Sequence, residues 1–313
     1  MRRLPLCRTP SKILIALLLI ASFCPNITAE SIGEPSAKDR QITLTVRILM
    51  TRQHLTKHKL DDEISQRALV TFLKALDPMK LYFLQSDIDE FDAKKNDIDD
   101  MINDGKLEFA FTVFDRLMER MVVSVTAANR MIDEKHDFTV DEYLSTDWDN
   151  LTYAADRTAL DDRWRKRIKY NLLVLKGDET EGDEARQRLH RRYNSLLKQM
   201  QQTKTDELLE MFLTAVTTSY DPHTTYMSPT TLENFEIQMR LNLDGIGAQL
   251  TLEDGYTNIT KIITGGAADQ QGDLTVKDRI VSVGQGADGE MVDVIDMKLN
   301  DVVAKIRGKA GTT

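Results

Sequence analysis

Apolar positions keep one period over the first two-thirds of this chain and then change it. Between Asp61 and Leu76, the residues Ile64, Ala68, Leu69, Phe72, Leu73 and Leu76 recur at three- and four-residue intervals, the stripe of an amphipathic helix. Similar spacing predicts helices over about 41–57, 106–134, 156–175, 183–202 and 205–220. Asp77-Pro78 ends the 61–76 helix, because the residue before a proline avoids helical angles. Ser86 is placed as the N-cap of a further helix from Asp87, whose early acids suit the positive end of the helix dipole. From residue 241 the period shortens. LNLDGIGAQLTL, YTNITKII, DRIVSVG and MVDVIDM alternate or run apolar between glycine turns, as short strands do. Two short helices are expected among them, near Ala267–Gln271 and over Lys298–Arg307.

Glycine and proline sharpen that division. Only Gly33, Gly105, Gly177 and Gly182 precede residue 245, and eleven of the 15 glycines follow. No proline occurs between Pro78 and Pro222. Helix interiors exclude both residues, whereas strand-and-turn folds use glycine in their turns. The expected fold class is therefore an all-α segment followed by an α+β segment. The boundaries are 1–29 for an export signal, 30–220 for the helical domain, 221–240 for a hinge and 241–313 for the strand-rich domain. The hinge carries DPHTTYMSP, in which Pro222 and Pro229 stiffen the connection and Ser228 or Thr231 caps a short helix over about 230–239.

The amino terminus changes the compartment. Arg2, Arg3, Arg8 and Lys12 precede an apolar run, Ile13 to Phe23, with Thr28-Ala29 as a small-residue cleavage site. That run is short of the roughly 20 residues a bilayer span needs, so a cleaved signal is expected, with an uncleaved inner-membrane anchor as the alternative. Cys7 and Cys24 both lie in this segment, which leaves the exported chain without a thiol nucleophile, thiolate metal site or disulfide. Without residues 1–29 the chain has 37 basic against 50 acidic side chains, a net charge of −13. Such an acidic balance argues against nucleic acid or anionic lipid as a main partner and leaves the membrane only the export signal to hold.

The order of motifs after residue 241 is specific. GIG, a strand, GGAADQQGDLTVKDRIVSVG and the short helix LNDVVAKIR, followed by GKAGT, together resemble a PDZ domain of the bacterial protease type. Such a domain captures the free C-terminus of another chain, which adds as a strand to a sheet edge while N–H groups of a glycine loop hold its carboxylate. The resemblance implies Gly245, Ile246 and Gly247 as the carboxylate loop, Ala248 and Leu250 on the pairing strand, and Val302, Val303 and Ile306 as pocket residues of the short helix. Upstream, LDPMKLYFL (76–84), RWRKRIKYNLL (163–173) and YDPHTTYMSP (220–229) resemble the tail-specific protease family, also called C-terminal processing peptidases. In that family a helical domain precedes a PDZ domain and a serine protease domain follows. What this implies is a periplasmic endopeptidase that recognises nonpolar C-terminal tails, with a helical domain that holds substrate or a periplasmic adaptor protein.

The family's serine nucleophile and lysine base lie after the PDZ domain, and no segment here matches either motif. Catalytic residues within these 313 residues are therefore expected to be none, and RGKAGTT at 307–313 reads as a turn into a strand that is not shown. No cofactor is implied. A PDZ-bearing adaptor without enzyme activity, and a helical scaffold that binds no C-terminal peptide, remain alternative readings. Other candidates have plainer explanations. His223 beside Asp221 is expected to be a turn residue, since Asp-Pro pairs initiate turns. His54 and His58 share a helix face but lack a third ligand for zinc. The charges of RWRKR at 163–167 are expected on a solvated face, and those at 97–100 at a helix end.

Overall fold

The computed structural model describes residues 31–240, 245–286 and 288–308. The first two-thirds is helical and the rest carries the strands, so the architecture is all-α followed by α+β. Eight helices run in order: α1 (Ala37–Ile48), α2 (Asp62–Leu76), α3 (Gln85–Asp92), α4 (Ile98–Asp104), α5 (Glu108–Asp133), α6 (Arg157–Gly177), α7 (Gly182–Gln201) and α8 (Thr205–Tyr220). Their caps follow from sequence: Ser36 accepts from Asp39 N–H, Asp61 from Ile64 N–H and Asp156 from Ala159 N–H. Among the described residues no helix is long and apolar enough to cross a membrane. The expected export signal, residues 1–29, lies outside the described residues.

One apolar core joins α2 through α8, with Phe72, Phe83, Phe114, Trp164 and Phe212 each essentially sealed from solvent. The stripe read from 61–76 is the buried face of α2 in full. Three sequence expectations change. Helix α1 passes into a π-helical turn, Leu49–Gln53, and stops at His54 in extended conformation rather than at residue 57. Ser86 lies inside α3; Leu84 is the extended residue ahead of it, and its N–H donates to Asp87 at 3.0 Å. The acids of 97–100 do stand at a helix end, as expected: Asp97 is the N-cap and Asp99 and Asp100 lie in the first turn of α4, whose Ile98 and Ile102 are buried. The basic run 163–167 is not a solvated face. Trp164 is in the core with its indole N–H on Leu81 O at 2.8 Å, and Arg163 donates to Lys80 O at 2.6 Å and Thr152 O at 2.9 Å. These side chains satisfy the backbone of loops that cross α6, a need that periodicity does not show.

Asp77 explains one of those loops. Its carboxylate accepts from the N–H groups of Leu81 (2.8 Å), Tyr82 (2.9 Å) and Phe83 (3.0 Å), which folds 78–83 back over the end of α2. Burial pushes the Asp77 carboxyl up, while those donors and Arg163 pull it down.

After α8 the chain turns at Asp221 and enters α9 (Pro229–Arg240), capped by Ser228. The connection is tied back to α8: Thr214 donates to Tyr226 O at 3.0 Å and Thr231 to Glu210 at 2.9 Å. The strand-rich segment contains β1 (Ala248–Glu253), β2 (Tyr256–Ile262), α10 (Ala267–Gln271), β3 (Arg279–Ile280), β4 (Ser282–Val283), β5 (Val292–Asp293) and α11 (Leu299–Ile306). Strands pair antiparallel in the order β1-β2-β3, with β4-β5 as a second pair. Asp254-Gly255 closes the β1–β2 hairpin with φ of 50° and 84°, the positive values that a tight hairpin turn requires. Residues 241–244 of the predicted first strand, and 309–313, lie outside the described residues.

Candidate functional site

A cavity of about 160 Å³ lies between β1, the glycine loop before it and α11. In the β1-β2-β3 sheet, β1 is terminal among the described residues, with β2 on one side, and its other edge borders this cavity. The glycine loop is built by close backbone contact. Gly247 has φ +73°, and a Cβ on it would lie 2.8 Å from Gly266 Cα, so a side chain there meets both strain and collision. The carbonyl of Ile246 accepts from Ala268 N–H and that of Gly247 from Ile263 N–H, both at 2.8 Å. In a trans peptide the following N–H points the opposite way. The N–H groups of Gly247 and Ala248 are thereby turned from α10 and β2 toward the opposite edge of β1.

Sequence-assigned residues Gly245, Ile246, Gly247, Ala248, Leu250, Val303 and Ile306 all line this cavity. Val302 does not: it is fully buried on the neighbouring face of α11. Three lining residues were not anticipated: Ile263, Leu299 and Arg307. Leu299 shares a helical face with Val303 and Ile306, at four- and three-residue intervals, so spacing alone could have found it and set Val302 aside. Arg307 brings a cationic group to the rim and donates to Asn234 of α9 at 3.1 Å.

The sequence profile described as "Tail specific protease N-terminal domain" matches residues 45–230, more than half of the chain. This chain belongs to the tail-specific protease family. A PDZ domain profile matches residues 235–313, which includes every residue lining the cavity. A "Tail-specific protease" of Haemophilus influenzae is 32% identical over 92% of this chain. A "Carboxy-terminal processing protease CtpA" of Bacillus subtilis is 31% identical over 45% of it. The chain spans 42% of the first relative's length and 29% of the second's. A crystal structure of the PDZ domain of a carboxy-terminal protease from Vibrio cholerae, in complex with a peptide, is 43% identical, covers 22% of this chain and 70% of its own, and has a TM-score of 0.22.

Within this member of the tail-specific protease family the histidines do other things. His223, with its side chain 93% exposed, sits on Asp221: its backbone N–H donates at 2.7 Å and its ring Nδ1 lies 3.1 Å away. That is a turn held by an aspartate. The His223 N–H and imidazole, followed by His54, hold the Asp221 carboxyl below its ordinary range, against a smaller opposing effect of desolvation. His54 and His58 flank the Tyr220 ring at 5.0 and 5.7 Å rather than converging on a point. Their nitrogens go to Thr224 at 2.9 Å and Lys59 O at 2.7 Å. Among the described residues, no three of His, Cys, Asp and Glu group as a metal site.

Proposed function

We propose that this chain supplies the tail-capturing part of an exported, periplasmic serine endopeptidase whose Ser/Lys dyad lies outside residues 1–313. The tail of a substrate protein adds antiparallel to β1, its terminal carboxylate meets the Gly247 and Ala248 N–H groups, and its last apolar side chain enters the cavity between Leu250, Leu299, Val303 and Ile306. Arg307 adds positive charge at the rim. The observation that carries this reading is an edge of β1 with no strand partner among the described residues, bounded by a glycine loop at one end and an apolar helix face along its side. The helical segment presents substrate, or a periplasmic adaptor, to the proteolytic domain. Family membership supports the protease class; the apolar cavity supports nonpolar tails.

The test compares two labelled peptides that share an alanine terminus, one a free acid and one amidated, by fluorescence anisotropy with the intact chain. Charge-assisted hydrogen bonds to a carboxylate predict that the amide binds at least about tenfold more weakly. Equal affinity would mean that the loop does not read the carboxylate.

A further inference from the structure

Both walls of the groove are gripped by the helical segment at the end away from the glycine loop. At the end of β1, Asp254 accepts from Arg188 Nε at 2.7 Å and Arg192 Nε at 2.8 Å. Just before α11, Asp296 takes Lys198 Nζ at 2.6 Å and the Ser195 hydroxyl. Lys298 reaches Glu207 at 2.6 Å, and Lys204 reaches Asp301 at 3.2 Å. The side chains of Asp254 and Asp296 are only 10% and 18% exposed, so both carboxylates are largely shielded from water. Arg188, Arg192, Ser195 and Lys198 of α7, and Gln202 at its C-cap, whose amide donates to Asp296 O at 2.9 Å, recur every three or four positions and form one stripe along the helix. The turn fits against that stripe closely: a Cβ on Gly255 would collide with Ser195 and Asp296.

We infer that this stripe of α7, with the start of α8, is a clamp that holds β1 and α11 at a fixed separation, so that the helical segment sets the groove's affinity for tails. The inference rests on the tail-binding reading of the groove. A groove whose walls are held apart in advance spares the bound tail the cost of ordering them. By reciprocity, a bound tail tightens the clamp by the same factor. Arg188, Arg192 and Lys198 are positioning residues: they act on the tail through β1 and α11 and do not touch it.

The test uses the whole chain with Cys7 and Cys24 replaced by serine, and spin labels on Gln187→Cys and Lys261→Cys, both exposed positions. Pulsed electron–electron double resonance reads the distance between the two segments, and anisotropy reads binding of the free-acid peptide. The Asp254→Asn/Asp296→Asn variant removes two charges while leaving at residue 254 a side chain that tolerates positive φ. The expected result is a broadened distance distribution and a tail affinity lowered about fivefold or more, with unchanged circular dichroism. Lys198→Arg should retain affinity and Lys198→Met should lose it, which separates charge from packing. An unchanged distance distribution overturns the clamp; a broadened one with unchanged affinity overturns its role in tail binding. If the wild-type chain binds no free-acid peptide, the tail reading falls, and the distance readout alone decides whether the clamp joins the two segments.

Discussion

Asp77 shows how much a single residue can hide. In the sequence, Asp77-Pro78 announces only the end of a helix, and α2 does end at Leu76. The carboxylate's second task, gathering three N–H groups of the LYF loop, involves residues four to six positions away whose donors carry no sequence signal. Asn in its place offers one carbonyl oxygen where two carboxylate oxygens now serve Leu81 on one side and Tyr82 and Phe83 on the other. Its NH₂ would face an N–H whichever way it turned. Asp77→Asn should therefore cost about 2–3 kcal/mol, read as a lowered urea midpoint by circular dichroism. A loss under about 0.5 kcal/mol would mean that the loop is held by packing alone. The glycine loop is the opposite case. Gly247 was legible because close backbone approach and positive φ leave a mark in composition itself.

At the scale of elements, periodicity served helices with a clean stripe and misled where polar groups are buried for a reason. The interval 205–220 is α8 as read, and 61–76 differs from α2 by one residue. Helix α6 is different. Its first half mixes Trp164 with Arg163, Arg165, Lys166 and Arg167, a pattern that averages to a solvated face. The structure resolves the mixture: Trp164 packs between Tyr82 and Tyr193, with ring centroids 6.0 and 5.2 Å away, while Arg163 reaches backbone carbonyls, Arg165 reaches Glu142 and Lys166 pairs with Asp162. Trp164→Ala removes a fully buried ring and orphans the Leu81 carbonyl, and should cost about 3–5 kcal/mol in urea denaturation. A near-neutral effect would restore the reading of 163–167 as surface. The same averaging hid α4, whose acids outnumber its two buried isoleucines.

At the scale of the whole molecule, the join between the helical and strand-rich segments was not legible at all. Arg188, Arg192 and Lys198 read as one more charged face, and their partners Asp254 and Asp296 stand more than sixty residues further along. A stripe of charge on a helix gives no sign of whether water or another segment covers it. The join should nevertheless have a pH signature. Burial alone would raise the Asp254 carboxyl, but Arg192 and Arg188 hold it below its ordinary range. A carboxyl whose folded value is depressed contributes its full stabilisation above the unfolded value, about 3.9, and loses it as pH falls through the folded one. The charges facing Asp254 are Arg188, Arg192 and the neighbouring Glu253, and none of these contacts involves a histidine. The distance between labels at 187 and 261 should therefore hold steady from neutral pH to about pH 4 and broaden only below it. Asp254→Asn should be broad already at neutral pH. A transition centred near pH 6 would assign control to an imidazole instead, and a distribution still sharp at pH 2, with circular dichroism retained, would show that packing around Gly255, not charge, joins the two segments.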